Sequence, residues 1–472
     1  MTMVWLWTDF LLWLLLLVFI FGWRSIRRSP QSQKQWRKIF HSRIAMAAVV
    51  VLSTYFSLAL LDSVHFKINP QKKLQQGPVA SYVNPYLQDW VDPQLHGKTL
   101  SLLDLFTQHL ILSTERTYSA PFALQEYSSS IVYTDNGVEQ QFKQLQYAGQ
   151  HLDNPDEIFK DVTIKSIYAL VLSFFITLAI WLVHGYFRIK AYIFRDISVK
   201  IQPLSWNSFY LALLTVIFVL TWLFYLSHYY HVLGTDKVGQ DVLYQSIKAI
   251  RTGVMIGLLT TLVMLPLALI LGISAGYFKG WIDDIIQYLY TTLNSIPGVL
   301  LIAAAVLVMQ SILNTHSDWF GSTEERADMR LLFLILILGI TSWTGLCRLL
   351  RAETLKISQV EYVAAAKAFG LGGFSIIRRH IMPNLMHLVL IALVLDFSGL
   401  VLAEAVLSYV GVGVDPTTPS WGNMINQARL EMAREPMVWW SLASAFGFMF
   451  ILVLAANLFS DRVQWVLDPR AH

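Results

Sequence analysis

Long apolar runs separated by short polar ones dominate the chain, and nine of them cover residues 4–23, 44–61, 167–187, 209–226, 254–277, 285–309, 331–347, 385–410 and 437–458. Bilayer hydrocarbon takes about 20 helical residues per crossing, so each run predicts a membrane span. The fold class that follows is an all-α polytopic membrane protein. Composition agrees: of 472 residues 55% are hydrophobic and 14% charged, and the mean hydropathy of +0.50 is too apolar for a soluble globular chain.

A formal charge of +4 raises the question of a nucleic-acid surface, and the placement of the cations answers it. Arg24, Arg27, Arg28, Lys34, Arg37, Lys38 and Arg43 follow the first run with no acid among them, which the positive-inside rule assigns to the cytoplasmic side. The amino terminus is then outside. Nine crossings bring the loop with Arg188, Lys190, Arg195 and Lys200, the basic loop 348–383 and the carboxy terminus to the inside. The expected partner is membrane lipid, not nucleic acid. Signal peptides carry cations ahead of their apolar run, whereas here the only early charge is Asp9 and the cations follow the run, so it is read as a retained helix. One cysteine, Cys347, forms no intrachain disulfide.

Four segments organise the chain. Residues 1–61 hold two spans, and 62–163 form a polar stretch long enough to fold outside the membrane. Residues 164–204 carry the third span and a cytoplasmic linker, and 205–472 hold the remaining six spans. Within the polar stretch, 122–133 and 138–147 tolerate strand conformation and flank Asp135, Asn136 and Gly137. Asn-Gly is a strong hairpin signal, so the stretch is expected to contain a β-hairpin.

The loop after the seventh span, 352–384, contains Glu361 to Gly370, then Leu371, Gly372 and Gly373, then a segment with Arg378, Arg379, His380, Pro383 and Asn384. Its pattern predicts a short helix, a glycine turn and a second short helix. Alanines favour the first and leave one face flat, Gly370 supplies the left-handed turn, and Pro383 stops or kinks the second ahead of the next span. A flat-faced helix outside the membrane invites a docking partner.

This loop resembles the "EAA" loop of bacterial ABC-importer permeases, in the peptide and nickel branch with its dipeptide and oligopeptide C-type subunits. Tyr362, Val363, Ala365, Ala366, Ala368, Gly370, His380, Pro383 and Asn384 match that pattern, while Ala364 stands where its glutamate is usual. Glu361, one helical turn earlier, presents a carboxylate near the same face. Leu233, Gly234, Thr235, Asp236, Gly239, Asp241, Val242, Leu243 and Arg251 are similar to the family's external segment, with Gln240 in place of an arginine. Glu404, Ser408, Gly411, Gly413, Pro416, Pro419, Ser420, Trp421, Gly422 and Asn423 resemble its last external loop, and Asp468-Pro469-Arg470 its terminus.

The resemblance implies a six-helix permease core from about residue 209, paired with a second homologous permease in the bacterial inner membrane. It also implies two ATP-binding subunits seated on the coupling loop and an extracytoplasmic substrate-binding protein at the external loops. This chain would bind no cofactor and catalyse nothing; ATP and Mg would sit on the partner ATPases. The alternative reading is a non-transporting scaffold or receptor built on the permease fold. The three extra spans and the external domain have no counterpart in the family pattern and are expected to play an accessory part, docking the binding protein or contacting the second permease.

Other signals have plainer readings beside them. Gly272-Ile273-Ser274-Ala275-Gly276 fits a serine-hydrolase elbow, but it falls in a span, where Gly272, Gly276 and Gly280 make a helix-packing stripe. Asp396 and Glu404 lie within the eighth span, where an ionisable group implies a cavity or a partner; for Asp396 a gate or translocation path and a structural hydrogen bond both remain open, while Glu404, nearer the outer end, is expected to shape the outer mouth. His184 and His387 lack metal-site spacing. No Walker A sequence is present, so an ATPase of that type would have to be a separate subunit.

Overall fold

The computed structural model describes residues 2–28, 30–67, 91–134, 137–152, 154–193 and 205–467. In chain order the elements are β1 (Thr2–Val4), α1 (Trp7–Arg28), α2 (Pro30–His41), α3 (Arg43–Asp62), β2 (His65–Lys67), β3 (Thr99–Ser101), α4 (Leu102–Phe106), α5 (Gln108–Leu112), β4 (Ser130–Thr134) and β5 (Gly137–Gln141). They continue with α6 (Ile158–Ile193), α7 (Trp206–Leu226), α8 (Val242–Phe278), α9 (Gly280–Ser295), α10 (Gly298–Thr315), α11 (Thr323–Ile357), α12 (Glu361–Ala368), α13 (Gly373–Val410), α14 (Trp421–Glu431) and α15 (Trp440–Leu467). Among the described residues nine helices are long and apolar enough to cross a membrane: α1, α3, α6, α7, α8, α10, α11, α13 and α15.

Eight of the nine expected spans fall on these helices. The sixth, expected at 285–309, is instead two helices. Ile296 is extended (φ −91°, ψ 131°) between α9 and α10, because the ring of Pro297 disfavours helical geometry in the residue before it. The basic segment after α1 is helical through α2.

The described residues fall into two compact units, one drawn from Met1–Asp9, Trp36–Thr252 and Pro419–Ala455, the other from Phe10–Gln35, Gly253–Thr418 and Ala456–His472. In the first, α7 packs against both α3 and α6. The described part of the polar stretch 62–163, expected to form an extramembrane domain, has a small core of its own in Phe66, Val91, Leu95 and Leu100. Its second cluster is shared: Phe122, Leu124 and Leu152 pack on Leu226, Tyr230 and Val232 at the end of α7. A segment expected to fold by itself is therefore rooted in the helical core. The hairpin β4–β5 is present, with Ser130 opposite Gln141 and Thr134 opposite Gly137; its turn residues Asp135 and Asn136 lie outside the described residues. A three-stranded antiparallel sheet β1-β2-β3 ties the amino terminus into the domain.

In the second unit, α8, α9, α11, α12 and α13 share one core, built around Ile273, Tyr290, Cys347, Leu350, Val363 and Leu385. A Cβ at Gly272 would lie 2.8 Å from the Cys347 carbonyl, and one at Gly276 2.6 Å from Thr354 Cβ, so these glycines let α8 and α11 touch. Ser274 sits mid-helix between them, which removes the strand-to-helix elbow a nucleophile needs. Gly280, the third residue of the expected stripe, has nothing within 4 Å of its Cβ position. It turns the chain from α8 into α9 at φ +57°.

Candidate functional site

The first candidate surface is the loop between α11 and α13. Val363 and Ala366, one turn apart on α12, are buried in the second unit's core, while Glu361, Tyr362, Ala364, Ala365 and Lys367 are exposed. Gly370 takes φ +76° with no Cβ obstruction, which ends the helix and reverses the chain. The second short helix is not separate. Gly373 continues through a π-helical turn at Ile377–Ile381 into α13, and the wider turn accommodates Pro383, which has no N–H to donate. Asn384 Nδ2 donates to Tyr362 Oη at 2.9 Å and to the His380 carbonyl at 2.6 Å, locking α12 to the start of α13.

What projects from this braced loop is aromatic: Phe369 is 87% exposed and Phe374 75%. Arg378 and Arg379 are exposed beyond them, and His380 is half-buried with its ring 6.1 Å from that of Tyr362. Of the residues singled out in the sequence, Ala366 faces the core and serves as a packing residue. Glu361 opens α12 on the same face as Ala364, three residues on. The two phenylalanines were missed; an aromatic at each end of a glycine turn was the available signal.

The second candidate is the segment 231–242 in the first unit, and most of its matched residues are buried. Asp236 Oδ1 accepts from the amides of Val238 and Gln240, at 2.9 Å each, closing a tight turn. Asp241 Oδ1 caps α8 through the Leu243 amide at 2.8 Å, and its Oδ2 meets His231 Nδ1 at 2.7 Å. Thr235 is fully buried; its hydroxyl donates to the Thr117 carbonyl at 2.9 Å and accepts from the Ser119 amide at 2.6 Å. Trp440 Nε1 donates to the Thr235 carbonyl at 2.9 Å.

The extramembrane domain covers this segment. The Glu115 amide donates to the Gly239 carbonyl at 2.9 Å and the Phe122 amide to that of His231 at 3.0 Å. Gly234 and Gly239 have φ +74° and +75°, and a Cβ at Gly239 would overlap the Glu115 backbone, so no other residue fits there. Trp421 and Gly422 are also buried. The Trp421 indole donates to the Ser246 carbonyl at 3.2 Å, and Asn423 gives its amide to the Ser420 hydroxyl that caps α14.

Cations along 231–251 meet carboxylates from the amino-terminal third. Lys248 Nζ lies 2.5 Å from Asp62 and 3.1 Å from both Asp104 and the Ser101 hydroxyl. Arg251 Nη2 lies 2.6 Å from Asp9, whose other oxygen meets His65 at 2.8 Å. His231 stands between Asp241 and Glu115, the latter at 3.6 Å. Burial of the His231 ring opposes its charge, but the Asp241 and Glu115 carboxylates outweigh that and raise its pKa to about 9. Burial likewise pushes Glu115 up, and His231 with the amides of Gln146 and Tyr147 overcomes this to hold it below the usual carboxylate range.

Glu404 is buried in α13 and accepts from Ser408 at 2.7 Å, which favours shaping of the helix end. Asp396 is half-buried, and neither a hydrogen-bond nor an ion-pair partner for it occurs among the described residues. His184 meets the Tyr210 hydroxyl. No group of three metal-ligating side chains occurs among the described residues. The terminal Asp468-Pro469-Arg470 lies outside them.

Nine span-length helices among the described residues, a helix braced on the second unit's core and a glycine-turned aromatic tip define a polytopic membrane subunit of the permease class. Residues 268–472 match the family described as binding-protein-dependent transport system inner membrane component. The chain is 31% identical over 242 residues to the glutathione transport system permease protein of Pectobacterium atrosepticum, covering 51% of this chain and 73% of that one. It is 30% identical over 240 residues to the dipeptide transport system permease protein of Bacillus subtilis, covering 51% and 69%. With the oligopeptide transport system permease protein of Lactococcus lactis it shares 33% identity over 242 residues, 51% and 76% of the two chains. The chain belongs to this family of inner-membrane transport components and is a multi-pass membrane permease subunit.

Proposed function

We propose that this chain forms one half of the translocation path of an ABC importer for peptides, beside a second homologous permease. Two ATP-binding subunits seat on the α12 loops, bind the ATP and Mg, and do the hydrolysis; this chain binds no cofactor and has no catalytic residue. An extracytoplasmic binding protein delivers the substrate. The amino terminus lies outside and the carboxy terminus in the cytoplasm, in line with the cations at the end of α1 and along α2. The substrate class is carried from relatives named for glutathione, dipeptide and oligopeptide transport.

The carrying observation is the loop's division of labour. Val363 and Ala366 anchor α12, the Tyr362–Asn384 hydrogen bond braces it, and Phe369 and Phe374 are left exposed as a docking tip. A rigid lever moved by a partner's ATP-dependent closure would switch the bundle between its two access states. Because Thr235, Asp241 and Trp421 are buried, the binding protein is expected to land on the exposed faces of the extramembrane domain and on Lys237 and Val238.

Co-purification in mild detergent tests this. Wild type should bring down an ATPase and a second permease; Phe369→Asp should lose the ATPase alone. Absence of any ATPase from the wild-type complex would overturn the reading in favour of a membrane scaffold.

A further inference from the structure

Within the first unit, α3 and α7 pack together, but α15 leaves a space against the pair. The three helices border a half-open cavity of about 570 Å³, lined by Val51 and Tyr55 of α3, Thr215 and Val219 of α7, and Gly447 and Ile451 of α15, with Pro121, Leu233 and Trp439 also on its wall. We propose that this cavity is a binding site for one acyl chain of a membrane phospholipid, a chain that completes the packing of the amino-terminal helices on the permease core.

Three observations commit the site to hydrocarbon. First, polar groups on the wall are already paired within the protein. The Tyr55 hydroxyl donates to the Phe448 carbonyl at 2.9 Å, Ser444 to Trp440 at 2.7 Å, Thr54 to Val50 and Thr215 to Leu211 at 2.9 Å each, and the Trp440 indole to Thr235. Away from the Trp439 indole at one end, a polar ligand would find nothing to recognise, and burying its own polar groups there would cost it free energy.

Second, the depth matches one leaflet. The lining runs from Thr215 to Leu223 on α7 and from Trp440 to Ile451 on α15, which at a rise of 1.5 Å per residue is about 12 and about 17 Å. Half of a bilayer's hydrocarbon is about 15 Å. One end of the cavity carries Trp439 and Trp440 beside the loop residues Pro121 and Leu233. Tryptophan favours the membrane interface, so this end is where a headgroup would remain in the polar layer while its chain enters.

Third, the space is made by absent side chains on helices that are themselves spans. A Cβ at Gly447 would meet nothing within 4 Å, and Ala443 and Ser444 beside it are small. Val219, Trp439 and Ile451 on its wall are themselves about half exposed, so the space opens to what surrounds α3, α7 and α15, and around spanning helices that is lipid.

The test uses the full chain in nanodiscs of phosphatidylethanolamine and phosphatidylglycerol, doped with a phosphatidylethanolamine bearing a photoactivatable acyl chain. Labelled peptides are mapped after digestion. Lining peptides of α3, α7 and α15 should label above those around the exposed Phe174 and Phe175 of α6, which report ordinary boundary lipid. Gly447→Phe, and independently Val219→Phe from the opposite wall, should fill the cavity and bring its labelling down to the α6 level while leaving α6 unchanged. Two variants on different helices separate cavity filling from a folding failure of either, and retained α6 labelling reports intact insertion. Equal labelling of cavity and α6 in wild type would reduce the site to boundary contact and overturn the proposal. So would labelling unaffected by both fillers, or crosslinking of a partner protein's peptide to Gly447-containing fragments.

Discussion

His231 offers the sharpest test of how the extramembrane domain is held. Its ring joins Asp241 of the segment leading into α8 to Glu115 of the domain, and those carboxylates lift its pKa from 6.5 to about 9 against the opposing effect of burial. That difference corresponds to roughly 3 kcal/mol of preference for the charged ring in the fold. Since the folded pKa is the higher one, the stabilisation is complete below pH 6.5, declines between pH 6.5 and 9, and is absent above that range. Glu115, held low, contributes above pH 4.5 and loses its share as pH falls through its depressed value, so the junction is strongest between those limits. His231→Gln removes the charge and keeps a side chain of similar reach. Thermal unfolding of both proteins in detergent should show wild type more stable at pH 6, with the gap shrinking as pH rises and the two curves meeting near pH 9.5. A gap independent of pH from 6 to 9.5 would refute the argument, because the ring would then act through packing rather than charge.

Two further outcomes follow from the packing. Lys248→Met should cost about 3–5 kcal/mol, because it leaves Asp62 and Asp104 buried without a cation; adding Asp62→Asn and Asp104→Asn should recover most of that loss in denaturant titrations. Gly276→Leu should destabilise by about 1–3 kcal/mol through overlap with Thr354 and the Arg351 carbonyl, whereas Ser274→Ala should change transport and stability little, which separates helix packing from a hydrolase elbow at the same motif.

The spans were legible because a run of about 20 apolar residues has few other uses, and the α12 loop because alanine, glycine and proline each limit backbone geometry. The break at Pro297 was equally available from the rule for residues before proline and was masked by the apolar stretch around it. Which alanine of α12 faces inward was not available, since Ala364, Ala365 and Ala366 are alike in composition; the buried Val363 and Ala366 spacing emerges only against the core. The sheet β1-β2-β3 consists of three-residue strands, too short to carry a period. Least legible were the charge clusters: Arg251 and Asp9 are 242 residues apart, and Lys248 and Asp104 are 144. Nothing local in the chain announces such pairs.

Those separations bear on what the amino-terminal third is for. Among the described carboxylates that meet His231, Lys248 and Arg251, Asp241 lies in the same stretch of chain as those cations, while Asp9, Asp62, Asp104 and Glu115 all precede residue 164. An appended module on a linker would leave the core's cations satisfied from within, because a buried charge without a partner costs several kcal/mol. Here Lys248 would lose Asp62 and Asp104, and Arg251 would lose Asp9. Asp9, Asp62, Asp104 and Glu115 thus belong to the same folded unit as the start of α8, and the stretch around Glu115 and Phe122 is joined to it by backbone hydrogen bonds at Gly239 and His231 as well as by charge. A partner approaching segment 231–242 meets the domain in the same encounter, since the domain covers the segment's buried side. An accessory role is then better stated as a structural one: the domain fixes the conformation of the loop that other chains would otherwise have to order on binding, and binding to a preformed surface avoids that entropic cost.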